Sequence, residues 1–172
     1  MDETDCGAAC LAMIASYYKL KKSITSIREI AGTDTKGTNL AGMVLAANKI
    51  GFSAHALKGT KDALTSELPV PFVAHIAYQE NDYTLLHYVV VKSINKDKIE
   101  ILDPNEDRKK QTKSIEEFSK EWTGYAVFLS PDRNFKIEKD NSSLLLKFIP
   151  VLKPYKSLLI LALLASVLLV VF

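Results

Sequence analysis

Hydrophobic positions recur at helical spacing through the first fifty residues and then change to the alternation of strands. Residues 7–18 are apolar nearly throughout, with Ala8, Ala9, Leu11, Ala12, Met13 and Ile14 in sequence, which predicts a first helix with Asp5 as its N-cap. Ile24, Ile27 and Ile30 recur every three residues and predict a short second helix over 23–31, which Gly32 can close. Leu40, Val44 and Ala47 form one stripe of a third helix, capped by Thr38 and running through Lys49 to end at Gly51. A further short helix is expected after Thr60.

After Pro69 the pattern changes. Residues 70–78, 85–93, 98–102 and 125–129 read as strands, with prolines only at the entrance of the first, where they remove no ladder bond. Helices first and strands afterwards predict an α+β domain with an antiparallel sheet.

The two central strands are joined by the short polar connection Ile94-Asn95-Lys96-Asp97, as in a hairpin. Pairing 93 with 97 sets 91 against 99, 89 against 101 and 87 against 103. His87, Val89, Val91, Ile99, Ile101 and Asp103 then share one face, and Tyr88, Val90, Lys92, Lys98, Glu100 and Leu102 share the other. A slip of one residue would scramble this sorting, because side chains alternate strictly along a strand. The register favoured by burial is therefore expected to set His87 directly opposite Asp103, with Cβ atoms about 5 Å apart.

That pair gives meaning to Cys6 at the predicted start of the first helix. A thiol at a helix N-terminus meets backbone N–H groups and the positive end of the helix dipole, which favour the nucleophilic thiolate. Cysteine, then histidine, then an acid is a constellation for covalent acyl transfer: Cys6 as nucleophile, His87 as base, Asp103 fixing the ring. Cys10 reads as a small core residue of the same helix, and His55 and His75 read as satisfied, half-buried histidines.

Composition narrows the alternatives. A net charge of +2, without a Lys/Arg run interleaved with aromatics, gives no support for nucleic acid. Two cysteines at i and i+4 are not a disulfide framework and suit a reducing compartment. No secretory signal, CxxC pair, His-rich tract or Gly-rich phosphate loop is present, so no metal, nucleotide or other cofactor is expected. Residues 1–131 read as the globular domain, and 132–156 as a basic linker in which 144–149 could lie along a membrane surface. The uncharged stretch 157–172 is 16 residues long, against the roughly 20 that cross a bilayer, and reads as the start of an incomplete transmembrane helix. Its preceding basic flank would keep the domain on the cytoplasmic side of the cell membrane.

The run Asp5-Cys6-Gly7-Ala8-Ala9-Cys10-Leu11-Ala12-Met13-Ile14 resembles the start of the papain-like peptidase domain at the N-terminus of bacteriocin-processing ABC exporters. Gly37-Thr38, Ile50-Gly51-Phe52, Pro71-Phe72-Val73-Ala74-His75, Leu86-His87-Tyr88-Val89-Val90, Leu102-Asp103-Pro104 and Glu121-Trp122-Thr123-Gly124 follow in matching order, so the likeness covers about residues 1–131. It implies a papain-like fold and a cysteine endopeptidase that cuts precursor peptides after a Gly-Gly pair ending their leader, during export. Cys6, His87 and Asp103 take the catalytic positions. The partners implied are the precursor peptide, whose leader docks as an amphipathic helix on an apolar groove, the membrane, and the transmembrane and ATP-binding parts of an exporter. The family also carries a glutamine six residues before the cysteine, a position that falls ahead of Met1. A catalytically impaired domain that only binds the leader is therefore the alternative, and an unrelated membrane-anchored amidase or acyltransferase is a third.

Overall fold

A six-stranded sheet, antiparallel at every pairing and ordered β1-β6-β2-β3-β4-β5, separates two layers of helix. The computed structural model describes residues 3–80, 82–105, 109–133, 135–137, 153–158 and 166. The elements are α1 (Cys6–Tyr17), α2 (Ile24–Ala31), α3 (Leu40–Lys49), β1 (Phe52–Lys58), β2 (Phe72–Glu80), β3 (Tyr83–Asn95), β4 (Lys98–Leu102), β5 (Lys110–Ser114), α4 (Ile115–Glu121) and β6 (Trp122–Pro131). The expected α+β class and the helix-to-strand order both hold.

The sheet buries both faces, so there are two cores. On one, α1–α3 bring Leu11, Ile14, Ile27 and Met43 against Val73, Tyr88, Val90 and Val127. On the other, Phe118 of α4 and Leu64 pack on Phe72, Ile76, Val89, Val91, Ile99 and Ile101. Tyr88, Val89, Val90 and Val91 are consequently buried in succession. The hairpin reading had put Tyr88 and Val90 on a charged face. The charges instead gather farther along it, where Lys92 and Glu100 pair at 2.8 Å.

The hairpin register also differs from expectation. Asn95 pairs with Lys98 across a two-residue turn in which Lys96 takes φ +52°, and the register shifts between Val91 and Ser93. Beyond that shift Val90 faces Leu102, which puts position 89, not 87, opposite 103. A tighter turn and one bulge account for the displacement. Val89, Val91, Ile99 and Ile101 still share one core, because burial constrains the face more strongly than the exact partner.

Helix ends follow local chemistry. Ser23 Oγ accepts from the Ser26 N–H, and Gly32 closes α2 in the left-handed region. The cap of α3 is Asn39, whose Oδ1 accepts from the Gly42 N–H at 2.8 Å. Thr38, the expected cap, is buried with its hydroxyl 2.7 Å from that of Thr33. The short helix expected after Thr60 is a single 3-10 turn at Lys61–Ala63.

Three elements were not anticipated. β1 buries only Phe52 and Ala54. β5, Lys-Gln-Thr-Lys-Ser, has no apolar residue to announce it. α4 did carry a legible signal, since Ser114 and Glu117 form a capping box.

By internal packing the chain divides into Met1–Lys139 and Asp140–Phe172. The first unit includes Phe135, whose ring lies 5.0 Å from that of Phe52. In the second, Lys153–Tyr155 form a 3-10 turn. No helix among the described residues is long and apolar enough to cross a membrane. The expected surface segment 144–149 and most of the expected span over 157–172 lie outside the described residues.

A Cβ added at Gly42 would run into the Ala31 carbonyl oxygen, on the backbone of α2. Gly42→Ala should therefore force α2 and α3 apart and destabilise the chain by about 1–3 kcal/mol or more in urea unfolding. Ser114→Ala, which removes the cap of α4, should cost about 1 kcal/mol in the same measurement. A Gly42→Ala chain as stable as the parent would show that the two helices can yield at this contact.

Candidate active site

Cys6 is the first residue of α1, at the positive end of its dipole. The chain enters the helix through a 3-10 turn at Glu3–Asp5, so Asp5 is already helical (φ −91°, ψ −1°) and its side chain makes no cap bond. The cap expected there is replaced by an ion pair: Arg28 Nη1 lies 3.2 Å from Asp5 Oδ1 and ties the start of α1 to α2.

Cys6 is only 7% exposed. It opens on a cleft of about 470 Å³, lined by Thr4, Thr38, His75, Leu86 and Tyr88 together with the loop 34–37. Cys10, one turn on, is fully buried, and its thiol donates to the Tyr88 carbonyl at 3.3 Å. Burial, then the charges of Cys6 and Asp103, push the Cys10 thiol well above its ordinary value, so it stays protonated and inert.

Despite the shifted register, His87 and Asp103 meet. The imidazole Nε2 lies 2.8 Å from Asp103 Oδ1. The two residues are diagonal rather than directly opposed, a relation that long side chains can still bridge. Asp103 is 5% exposed, and its Oδ1 also accepts from the Asn105 N–H at 2.8 Å. With Nε2 engaged by the carboxylate, Nδ1 remains for the sulfur.

Burial acts against a charged His87. The hydrogen bonds to Asp103 and Cys6, and then the charges of both, outweigh it and lift the ring from 6.5 to about 9. Cys6 thus acts on the same imidazole as the acid does, and the three predicted residues converge. At neutral pH the ring is an imidazolium. The arrangement can supply a nucleophile and a proton to one reacting centre.

His75 lies beside them, half-buried and hydrogen-bonded as expected. Nδ1 is 2.8 Å from Thr123 Oγ1, and the ring packs 4.9 Å from that of Tyr88. Burial, then the charge of His87, lowers its proton affinity. The two histidines are driven in opposite directions, a pattern typical of acid–base sites. His55, by contrast, is exposed on β1 rather than half-buried. Among the described residues no three His, Cys, Asp or Glu side chains converge as a metal site.

Comparison with known proteins agrees with this geometry. Residues 1–134 match the model of the Peptidase C39 family. The chain is 41% identical over 160 residues to the lactococcin-G-processing and transport ATP-binding protein LagD of Lactococcus lactis subsp. lactis, covering 92% of this chain and 22% of LagD. It is 38% identical over 174 residues to the transport/processing ATP-binding protein ComA of Streptococcus pneumoniae, covering 99% of this chain and 24% of ComA. The chain therefore spans less than a quarter of the length of these relatives.

Among solved structures, the peptidase domain of Streptococcus ComA superposes with a TM-score of 0.69 at 36% identity, covering 77% of this chain and 95% of that one. A double glycine motif protease from an AMS/PCAT transporter, solved in complex with its leader peptide, superposes with a TM-score of 0.67 at 27% identity, covering 76% of this chain and 87% of that one. The chain belongs to the Peptidase C39 family and is a cysteine peptidase.

Proposed function

We propose that this chain cuts the leader from bacteriocin or pheromone precursor peptides after a Gly-Gly pair, on the cytoplasmic side of the membrane, as part of an ABC exporter. The observation that carries the reading is the 2.8 Å bond between His87 and Asp103 beside a cysteine at a helix N-terminus. The names of the relatives, which process and transport peptides, support the coupling to export.

In this mechanism the Cys6 sulfur attacks the carbonyl carbon of the second glycine. As the C–N bond breaks, His87 Nδ1 gives its proton to the leaving amine, so the cargo departs with a free N-terminus. Water then attacks the Cys6 thioester. The now neutral His87 takes one of its protons, the C–S bond breaks so that the sulfur returns to its starting state, and the leader leaves as a carboxylic acid that gives its remaining proton to solvent. Asp103 holds the ring through Nε2 and stabilises the imidazolium throughout.

A second cavity supports a separate dock for the leader. Ala41, Val44, Ala56, Leu57, Leu68 and Phe128 are among the residues lining an apolar groove of about 670 Å³. Ala41 of this groove and Asn39 of the cleft lie two residues apart at the start of α3. An amphipathic helical leader on the groove would deliver its C-terminal glycines to Cys6.

Cys6→Ala and His87→Ala should abolish cleavage of a Gly-Gly leader peptide, with His87→Ala lowering kcat/KM by about 10²–10⁴. Followed by chromatography of the products, parent-like cutting by Cys6→Ala would end the assignment. The raised affinity of His87 for its proton also fixes a pH dependence. Its stabilising contribution is fully present below about pH 6.5 and disappears as pH rises through about 9. The alkaline limb of kcat/KM should therefore fall near pH 9, and Asp103→Asn should move it lower. A limb unmoved by Asp103→Asn would refute the coupling. Leu57, 56% exposed in the groove, gives a third test. Leu57→Asp should raise KM for a full-length leader while leaving kcat and cleavage of a truncated leader nearly unchanged.

A further inference from the structure

His75 is held with more machinery than a filler histidine requires. Opposite it, β6 bulges: Ala74 pairs with Ala126 and Ile76 with Trp122, so three residues of β6 face His75 alone. The bulge depends on Gly124, whose φ is +89° and whose absent Cβ would stand 2.8 Å from the Gly59 carbonyl oxygen. Bulges beside active sites commonly re-aim a side chain. This one aims Thr123 at His75 twice, through the His75 backbone carbonyl at 3.0 Å and through Nδ1 of its ring at 2.8 Å.

Those two contacts point to one tautomer. The Thr123 hydroxyl has one proton, and a carbonyl can only accept, so that proton goes to the His75 carbonyl. Thr123 Oγ1 must then accept from Nδ1–H. The ring is kept neutral by its burial and by the charge of His87, and a neutral imidazole with Nδ1 protonated leaves Nε2 as a bare acceptor. His75 lines the cleft, and Thr123, which engages Nδ1, does not. Packing against Tyr88 prevents the ring from turning away. Among the described residues no group donates to Nε2.

We propose that His75 Nε2 is a built acceptor for a main-chain N–H of the glycine pair, making His75 a positioning residue that holds the peptide backbone at the correct depth over Cys6. Glycines have no side chain by which they could be recognised. A protein that requires them must read the backbone they expose, and a fixed acceptor in a narrow cleft does so. The inference rests on the function proposed above and adds how that site grips its substrate.

The test uses the full chain, a Gly-Gly leader peptide and two versions of it N-methylated at one or the other glycine. His75→Phe, which keeps the ring and loses the acceptor, should lower kcat/KM for the unmodified peptide roughly tenfold, the size of one neutral hydrogen bond. At one of the two glycines, N-methylation should slow the parent by a similar factor and leave His75→Phe no slower than it already is. Thr123→Val, which frees the tautomer, should give an intermediate loss, and Thr123→Ser should restore the parent rate. Imidazole ¹⁵N chemical shifts in the Cys6→Ala chain should report Nδ1–H for His75, with Nε2 moving when the peptide binds. Equal N-methyl penalties in parent and His75→Phe at both glycines, or an Nε2–H tautomer, would overturn the inference while leaving the peptidase reading intact. Failure of the parent chain to cut any Gly-Gly peptide would remove both.

Discussion

A carboxylate in a protein interior is costly unless other groups replace its lost water, and Asp103 is 5% exposed. His87 and the Asn105 N–H supply that replacement, each at 2.8 Å from the same oxygen. The bond to His87 therefore has two consequences at once. It makes the buried acid tolerable, and it holds a charged imidazole against the cysteine at the N-terminus of α1. Removing either partner leaves a buried charge uncompensated, so the fold and the chemistry depend on the same contact.

Around that contact, burial assigns different tasks to similar side chains. His87 is driven towards the imidazolium, and His75, which lines the Cys6 cleft, towards the neutral ring. Cys6 opens on the cleft, while Cys10 one turn later is sealed in the core with its thiol donating to a carbonyl. Tyr88 lies against both cysteines, and its burial, then their charges, raise its hydroxyl to about 12, so it remains a phenol that packs rather than reacts.

How much of this was legible from the chain depends on which force decided each feature. Burial decides faces, and the sorting of Val89, Val91, Ile99 and Ile101 onto one side was read correctly from alternation alone. Turn chemistry decides registers, and the left-handed conformation at Lys96, with a bulge after Val91, displaced the pairing by two residues or more from expectation. His87 still reached Asp103 because a side chain spans more than one register step. The tail of helix expectations failed differently: Asn39 rather than Thr38 caps α3, since Thr38 was needed in the interior beside Thr33. His75 was read correctly as a satisfied, half-buried histidine, but its partner Thr123 sits in a bulge on a strand nearly fifty positions away, which alternation could not reveal. Its signal, Trp122-Thr123-Gly124, was visible as a motif but had no assigned purpose.

The outer strand β5 carries Lys110 and Lys113 and no apolar side chain, and it stands at the end of the sheet order. Any foreign strand adding there would have to lie against two ammonium groups without gaining a greasy surface in return. Crowding of many such domains would thus bring charged rims together and not complementary ribbons. The polarity that made β5 invisible in the sequence is what guards it against fibrous stacking.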